Sequence, residues 1–310
     1  MHILVTGGNG FIGSHLVDKL ISTGKHHVVV LDLYPRPYEP LPDGATFIPG
    51  NLSDINLVRH TLVDQGIDVI YHLAWATIHE TSLRDPVADI RQDLIPTVAL
   101  FDTCRETQVN RVIFISSGGG VYGPTDDLPI KETHPTNPIN AYGITKLTVE
   151  KYLQMYQHLY GLDYTIFRPS VPYGPRQNPR RRQGAVSVFI YKIMRQENIQ
   201  IWGDGQTLRD YFYIEDLVEA LASALDKPAS INQIINLGGP RGYSLNQLVV
   251  LIEETLGLKA NIEYQNAREF DVQRLNLDLE MAKSILDWSP HTSLPEGIRY
   301  TAAWIKRWID

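Results

Sequence analysis

The sequence predicts an α/β protein with a doubly wound parallel sheet and a smaller C-terminal lobe. Two observations predict this fold. Short runs rich in Val and Ile alternate with longer segments of helical periodicity through residues 1–168, which is typical of parallel sheets covered by helices on both faces. From residue 169 onward the alternation becomes irregular. We therefore assign 1–168 to one domain and 169–310 mainly to a second lobe, with part of 210–240 returning to the first domain.

The first domain alternates strand and helix candidates. Its strand candidates are short and almost wholly apolar, as expected of strands that are buried on both faces of a sheet. They cover residues 3–6, 27–32, 46–48, 68–72, 111–116 and 164–168. The segments between them repeat apolar residues with a period of about 3.6 and are predicted helices. These helices cover residues 11–22, 54–65, 86–107 and 141–160.

The second lobe begins with a proline-rich segment. Prolines at 169, 172, 175 and 179 predict an irregular loop, because proline lacks the N–H group that helices and sheets use. The predicted elements after it are helix 186–195, strand 200–202, helix 214–225, strand 234–238, helix 245–256, strand 262–265 and a C-terminal helical region. Since no flexible linker precedes them, we expect the lobe to pack on the first domain with a cleft between the two.

Composition and charge exclude several classes of protein. The 310 residues include 28 basic and 35 acidic side chains, for a net charge of −7, which argues against a nucleic-acid partner. No apolar run approaches the roughly 18 residues of a membrane-spanning helix, so we expect no membrane partner. The single cysteine, Cys104, has no partner for an internal disulfide, and the chain starts without a leader pattern, so we predict a cytoplasmic protein. The 10 histidines show no metal-ligand spacing, and we expect no metal.

A glycine cluster joins the first predicted strand to the first predicted helix. Residues 6–13 read Thr-Gly-Gly-Asn-Gly-Phe-Ile-Gly. Gly7 permits the turn, Gly10 lets the backbone approach a pyrophosphate, and Gly13 lets helix and strand pack closely. Phe11 and Ile12 open the helix, whose free N–H groups would face the phosphates. No Lys-Ser or Lys-Thr follows, so this is not a nucleoside-triphosphate loop; a purely structural glycine turn is the alternative.

An acidic residue strengthens the interpretation of the glycine cluster. Asp32 ends the second predicted strand, about 20 residues after the cluster, where a carboxylate accepts hydrogen bonds from the ribose hydroxyls of NAD. Sites for NADP usually carry an arginine there instead. The sequence therefore predicts NAD as the cofactor.

The predicted helix 141–160 begins with a Tyr-x-x-x-Lys pair. A spacing of four places Tyr142 and Lys146 on one face of the helix. A free tyrosine is a poor base because its pKa is about 10. A nearby ammonium group and an oxidised nicotinamide ring both favour the phenolate and are expected to lower that pKa. Such a pair suits removal of a proton from a sugar hydroxyl.

Further motifs follow in order along the chain. They are residues 72–74 (His-Leu-Ala), 116–123 (Ser-Ser-Gly-Gly-Gly-Val-Tyr-Gly), 168–175 (Arg-Pro-Ser-Val-Pro-Tyr-Gly-Pro), 202–211 (Trp-Gly-Asp-Gly-Gln-Thr-Leu-Arg-Asp-Tyr) and 268–271 (Arg-Glu-Phe-Asp). With the glycine cluster and the Tyr-Lys pair, they resemble the extended short-chain dehydrogenase/reductase family, in its NAD-dependent sugar epimerase/dehydratase branch. The resemblance covers nearly the whole chain. It implies a Rossmann-type sheet, bound NAD, a UDP-sugar substrate, and a homodimer formed through the Tyr-Lys helix and the long helix before it.

The resemblance also implies roles for individual residues. On the cofactor side it adds Leu33, Asn51, Leu52, Leu73, Ala74, Trp75, Asp93, Ser116 and Ser170 to the glycine cluster, Asp32, Tyr142 and Lys146. On the substrate side it implies Gly118, Val171, Ala185, Val186, Arg209, Arg268 and Asp271. The two arginines would hold a diphosphate through charge-assisted hydrogen bonds, and Asp271 would bind a hydroxyl.

The residues before the Val-Tyr-Gly segment distinguish the reactions of this family. Dehydratases resemble one another in carrying Asp and Glu there, and decarboxylases carry a Glu, whereas this chain has Gly119 and Gly120. The resemblance then implies 4-epimerisation through a transient 4-keto sugar, most simply between UDP-glucose and UDP-galactose. The family's catalytic hydroxyl stands where this chain has Gly118, so we expect the neighbouring Ser117 to supply it.

Other functions stay open at this point. The chain could be a nucleotide-sugar reductase, another epimerase of surface-polysaccharide synthesis, or an NAD-binding regulator without turnover. Retention of both Tyr142 and Lys146 argues against a regulator, because binding alone requires neither. Asp32 disfavours a reductase that uses NADPH.

Overall fold

The structure is a computed structural model that describes residues 1–77, 79–180, 184–267 and 272–307. The strands are β1 (His2–Thr6), β2 (His27–Asp32), β3 (Ala45–Pro49), β4 (Val69–His72), β5 (Arg111–Ile115), β6 (Asp163–Pro169), β7 (Val171–Tyr173), β8 (Asn198–Trp202), β9 (Leu208–Arg209), β10 (Tyr211–Tyr213), β11 (Gln233–Leu237), β12 (Tyr243–Ser244) and β13 (Asn261–Gln265). The α-helices are α1 (Phe11–Ser22), α2 (Ile55–Asp64), α3 (His79–Arg84), α4 (Pro86–Asp89), α5 (Ile95–Thr107), α6 (Gly118–Val121), α7 (Ala141–Tyr160), α8 (Ala185–Met194), α9 (Ile214–Ser223), α10 (Leu245–Leu256), α11 (Glu280–Leu286) and α12 (Leu294–Lys306). None of these helices, within the ranges described, is long and apolar enough to cross a membrane.

The central sheet has seven parallel strands in the order β3-β2-β1-β4-β5-β6-β11. The chain first proceeds outward from β1 to β3, and then returns to build the other half from β4 onward. This order is that of a Rossmann-type doubly wound sheet, which confirms the predicted fold class. The last strand, β11, comes from the second half of the chain and pairs with β6.

Alternating residues of the buried strands contribute to two apolar cores, one on each face of the sheet. Ile3 and Val5 of β1 pack with residues of α1 and α9, whereas Leu4 packs with residues of α2, α5 and α7. Side chains alternate between the two faces of a strand, and both sets are fully buried here. The apolar strand sequences are therefore explained by helices on both sides.

The C-terminal lobe continues the first of these cores. Helix α12 packs against α8 and α10, and their buried residues belong to the same apolar cluster as α1 and α9. Three two-stranded pairs complete the lobe, namely β7 with β10, β9 with β12, and β8 with β13. The division of the chain at residue 168 stays a prediction, because one apolar cluster runs through both parts.

Two predicted elements differ from the structure. The segment 86–107, predicted as one helix, is divided into α4, a π-helical turn (Ile90–Leu94) and α5. Pro96 lies in the first turn of α5 and has no N–H group to continue the ladder from the preceding turn. The loop after residue 168, predicted as irregular, contains the short strand β7, which pairs with β10; Pro172 is tolerated because β7 has a partner on one side.

Candidate active site

A groove runs along the carboxyl edge of the sheet, beside the C-terminal lobe. Its volume is about 910 Å³. Parallel strands place their carboxyl ends at one edge, where such folds bind ligands. The predicted site residues that line it are Gly7, Gly10, Phe11, Ile12, Gly13, Asp32, Leu73, Trp75, Ser116, Ser117, Tyr142, Lys146, Ser170, Val171 and Arg209. The structure thus brings the glycine cluster, the acid after it and the Tyr-Lys pair into one cavity.

The glycine cluster forms a tight turn between β1 and α1. Gly7 has a φ of +70°, a left-handed conformation that glycine adopts without strain. A Cβ atom at Gly13 would lie 2.3 Å from the carbonyl oxygen of Gly7, so a side chain there would force the turn open. The first turn of α1 faces the groove through Phe11 and Ile12. Because helix N-termini bind anions, this turn fits the pyrophosphate of a dinucleotide.

Asp32 is held at the end of β2 by two backbone N–H groups. Its Oδ2 accepts a hydrogen bond from Asn9 N at 3.0 Å, and its Oδ1 accepts one from Leu33 N at 2.7 Å. Each carboxylate oxygen keeps a further lone pair for another donor. This fixed acceptor beside the glycine turn fits the ribose hydroxyls of NAD.

The end of β5 is hydrogen-bonded to the first turns of α7. The Ser117 side chain is hydrogen-bonded to the Tyr142 hydroxyl, and Lys146 Nζ donates to the carbonyl oxygen of Ile115 at 2.7 Å. Tyr142 and Lys146 are four residues apart and share one face of the helix, as their spacing predicts. The strand end therefore fixes both side chains at one end of the groove.

A buried ion pair continues this contact one helical turn further along α7. Ser116 donates to Glu150 Oε1, and Glu150 also accepts hydrogen bonds from Arg168 Nε at 3.0 Å and Nη2 at 2.6 Å. Arg168 Nη1 donates to the Tyr122 hydroxyl at 2.9 Å. The charged groups are almost completely buried, with side-chain exposures of 3% for Arg168 and 0% for Glu150. This bidentate pair joins β6 to the helix that carries Tyr142 and Lys146.

The start of α7 is set by a cap and by a close backbone contact. Asn140 Oδ1 accepts a hydrogen bond from Gly143 N at 2.9 Å, which is the favoured arrangement for an N-cap residue. A Cβ atom at Gly143 would lie 2.2 Å from the carbonyl oxygen of Gly120. The two glycines therefore allow α7 to touch α6, which brings Tyr142 to the end of β5.

Burial controls the pKa values of both residues of the pair. It raises the pKa of Tyr142 to about 12, with Asp93 and Asp89 adding to the rise and the Ser117 hydrogen bond opposing it. It lowers the pKa of Lys146 to about 7. The Lys146 Nζ atom lies 5.8 Å from the centre of the Tyr142 ring. In the chain itself burial thus raises the Tyr142 pKa, and the prediction that the ammonium and an oxidised nicotinamide ring together lower it stays a prediction.

In the glycine run before Val121, Gly118 and Gly120 have different surroundings. A Cβ atom at Gly118 would lie 2.6 Å from Leu277 Cδ1, so a side chain there would point into the Leu277 contact and not at Tyr142. A Cβ atom at Gly120 would lie 3.2 Å from Ser117 Oγ. The hydroxyl beside Tyr142 consequently comes from Ser117, and Gly118 lies outside the lining of the groove.

Several predicted binding residues are not part of the groove lining. They are Leu33, Asn51, Leu52, Ala74, Asp93, Gly118, Ala185 and Val186. Val186 is 1% exposed and packs in the apolar core, so its side chain is unavailable to a substrate. Asp93 accepts hydrogen bonds from Ala76 N at 2.6 Å and Thr77 Oγ1 at 2.7 Å. It thus holds the loop after β4 in place. The predicted substrate residues Arg268 and Asp271 lie outside the described residues.

Two basic residues of the groove lining were not predicted from the sequence. Arg36 and Arg176 both line the cavity, and each pairs with Asp18 on α1 at 2.7 Å. Arg36 also donates to the carbonyl oxygen of Ser14 at 3.0 Å. In the sequence, the local indication of a site role is that Arg36 stands between two prolines soon after Asp32. Their common partner is apparent only when the two loops and α1 come together in the fold.

Comparison with known proteins agrees with this site. Residues 3–238 match the model of the NAD dependent epimerase/dehydratase family. The UDP-glucose 4-epimerase of Mycolicibacterium smegmatis is 35% identical over 99% of both chains. The solved UDP-glucose 4-epimerase of Thermotoga maritima with UDP-glucose is 36% identical, covers 100% of both chains and has a TM-score of 0.95. The UDP-glucuronic acid 4-epimerase of Bacillus cereus, solved with UDP-glucuronic acid and NAD, is 29% identical over 99% of this chain and 100% of that one, with a TM-score of 0.91.

These similarities extend over nearly the whole chain and agree with the motifs, the sheet order and the groove. They confirm the resemblance to the extended short-chain dehydrogenase/reductases and NAD as the cofactor. The chain belongs to the NAD-dependent epimerase/dehydratase family, and it is an NAD-dependent enzyme of the epimerase type.

Proposed function

We propose that the protein is a nucleotide-sugar 4-epimerase that interconverts UDP-glucose and UDP-galactose through a transient 4-keto sugar. The observation that carries this proposal is the hydrogen-bonded pair of Ser117 and Tyr142 in the groove, with Lys146 one turn away on the same helix face. The relatives named UDP-glucose 4-epimerase support the choice of sugars. The relative that acts on UDP-glucuronic acid makes a hexuronate the main competing substrate.

In the proposed reaction, the Tyr142 oxygen accepts the proton of the sugar C4 hydroxyl. Ser117 donates a hydrogen bond at the reacting oxygen, and Lys146 contributes positive charge beside the phenol. When bound, NAD would supply hydride acceptance and hydride return at C4, and its oxidised ring would favour the phenolate. After the keto sugar has rotated in the groove, C4 regains its hydride on the other face and Tyr142 returns its proton to the C4 oxygen. The cycle therefore has no net oxidation.

The glycine run favours epimerisation over the other reactions of the family. Elimination of water or loss of carbon dioxide requires a further acid or base near the sugar. Gly119 lines the groove and Gly120 adjoins Ser117, and neither has a side chain that transfers protons. Val171 and Leu275 add apolar lining, and their side chains likewise carry no group that transfers protons.

We assign the diphosphate of the substrate to Arg209. Its guanidinium is partly buried in the groove lining and Nη1 donates to the carbonyl oxygen of Leu208 at 2.7 Å. An arginine held in this way offers further N–H donors to phosphate oxygens. Arg268 and Asp271 are proposed as the remaining contacts to the nucleotide sugar, as in the sequence prediction.

A substrate panel tests the proposed activity. The purified enzyme is incubated separately with UDP-galactose, UDP-glucose, UDP-N-acetylglucosamine and UDP-glucuronic acid without added reductant, and products are identified by proton NMR. We expect UDP-glucose and UDP-galactose to reach the same mixture from either side, with no net change in absorbance from NADH. Conversion of only the hexuronate or the N-acetylhexosamine would contradict the assigned sugars. A requirement for stoichiometric NAD(P)H would indicate the reductase, and NAD binding without any conversion would indicate the regulator.

We also propose that the enzyme is a homodimer joined through α5 and α7. These helices pack against each other and leave large apolar side chains exposed, including Ile95 at 57%, Ile144 at 52% and Leu159 at 57%. Ile144, Met155 and Leu159 fall on one face of α7, and exposed apolar patches mark interfaces. Sedimentation velocity is expected to give a dimer, and I144E/L159E a monomer. A wild-type monomer at micromolar concentration would contradict the assignment.

A further inference from the structure

The Lys146 ammonium lies against an aromatic surface. Lys146 is 4% exposed, and among the described residues its hydrogen-bond acceptor is the carbonyl oxygen of Ile115. The centre of the Trp75 ring lies 3.5 Å from Nζ, and the centre of the Phe114 ring lies 4.8 Å away. Indole gives the strongest cation–π attraction of the aromatic side chains, and the effect increases when the pair is removed from water.

The position of the indole is set by its neighbours. Trp75 stands in the loop directly after β4, and its ring lies 6.1 Å from that of Phe114 on β5. Its ring also meets that of Tyr142 in an edge-to-face arrangement, with centres 6.2 Å apart and planes at 78°. Trp75 therefore touches both members of the Tyr-Lys pair and lines the groove.

We propose that Trp75 is a positioning residue, whose indole face keeps Lys146 in its ammonium form beside Tyr142. This inference rests on the proposed function, because it assigns the charge of Lys146 to the epimerase reaction. It differs from the sequence prediction, in which Trp75 only lined the cofactor. The residue acts through Lys146 and need not touch the substrate.

Besides the Ile115 carbonyl and the indole face, three ionisable groups of the described residues surround Lys146. Asp93, from the π-helical turn, and Glu150, on α7, both favour the ammonium. However, Asp93 accepts hydrogen bonds from the loop after β4, and Glu150 is paired with Arg168. His72 on β4 is neutral, because burial and the Lys146 charge lower its pKa to about 3.

The direction of the expected pH effect follows from burial. Burial lowers the pKa of Lys146 to about 7, so small changes in its surroundings alter how much ammonium exists near neutral pH. The indole face favours the charged form, and its removal must lower that pKa further. In the NAD-bound enzyme, where the oxidised ring would favour the Tyr142 phenolate, a reaction that needs the ammonium loses activity as the pH rises through the Lys146 pKa, and loss of the indole moves that fall to lower pH.

The first test compares the pH dependence of kcat in Trp75→Leu and Trp75→Phe. We expect Trp75→Leu to move the alkaline fall of kcat downward by about one pH unit, and Trp75→Phe to move it less, because a phenyl face still attracts a cation. Tyr191→Leu is the matched control, since Arg195 lies 5.5 Å above that ring on α8, and its profile should equal that of the wild type. An alkaline fall of kcat at the same pH in Trp75→Leu and in the wild type would overturn the proposal.

The second test needs neither sugar nor turnover, so it is independent of the proposed function. Fluorescence of the wild type minus that of Trp75→Phe is recorded from pH 5 to 9. We expect this difference signal to titrate with a midpoint near the Lys146 pKa of about 7, and the titration to vanish in Lys146→Met. A signal without a midpoint in that range, or one that survives in Lys146→Met, would overturn the pairing. A failed substrate panel with an intact titration would instead refute only the proposed reaction.

Discussion

Tyr142→Phe is expected to lower kcat at least a hundredfold while the affinity for NAD stays within about twofold. A positioned general acid or base contributes roughly 10²–10⁴ to the rate, and phenylalanine removes only the oxygen that exchanges the proton. The ring and its edge-to-face contact with Trp75 can remain. The measurements are steady-state epimerisation and NAD binding by the purified variant.

Ser117→Ala serves as the companion variant. Loss of one hydroxyl donor at the reacting oxygen is expected to lower kcat about ten- to a thousandfold, and KM should change much less. The same hydroxyl opposes the rise in the Tyr142 pKa, so the acid side of the pH profile should also move upward. Full activity in Tyr142→Phe, or a loss that arises only from weaker NAD binding, would contradict the assigned role.

The buried pair of Arg168 and Glu150 is expected to have the largest effect on stability. Arg168→Met leaves the Glu150 carboxylate buried without its cation, and breaking such a pair typically costs about 3–5 kcal/mol. The double variant R168M/E150L removes both charges and should recover much of the lost free energy of unfolding, since hydrophobic replacement of a buried pair is often close to neutral. Urea unfolding of the three proteins measures both effects.

An exposed pair provides the control for this experiment. Arg105 lies 3.0 Å from Asp102 on the surface of α5, and Arg105→Met should change the unfolding free energy little, because water screens such pairs. Equal stability losses in Arg168→Met and Arg105→Met would show that the buried pair does not hold β6 to α7. A double variant less stable than Arg168→Met would be equally contrary to the expectation.

Local patterns were sufficient to predict the parts of the fold and site that depend on neighbouring residues. The apolar strands, the glycine turn and the four-residue spacing of Tyr142 and Lys146 each arise from backbone geometry within a short segment. The position of Ser117 could also be anticipated, because Gly118 has no side chain. The position of Asp32 could be predicted in the same way, because it is the last residue of the apolar strand β2.

The remaining features depend on contacts between distant segments. Asp18 meets Arg36 and Arg176 only when α1 and two loops converge. The burial of Val186 depends on how α8 packs in the lobe. The rise that burial causes in the Tyr142 pKa also depends on distant contacts, because sequence spacing indicates a neighbouring charge but does not measure desolvation.

The central claim is that the hydride removed from C4 returns to the same sugar within one binding event. It is tested most directly with UDP-galactose deuterated at C4, mixed with UDP-galactose that carries ¹³C in its ribose, followed by mass spectrometry of the UDP-glucose formed. We expect the deuterium to stay at C4 of the molecules that carried it, with no product containing both labels. Loss of deuterium to water, or its transfer to the ¹³C-labelled product, would contradict the proposed mechanism.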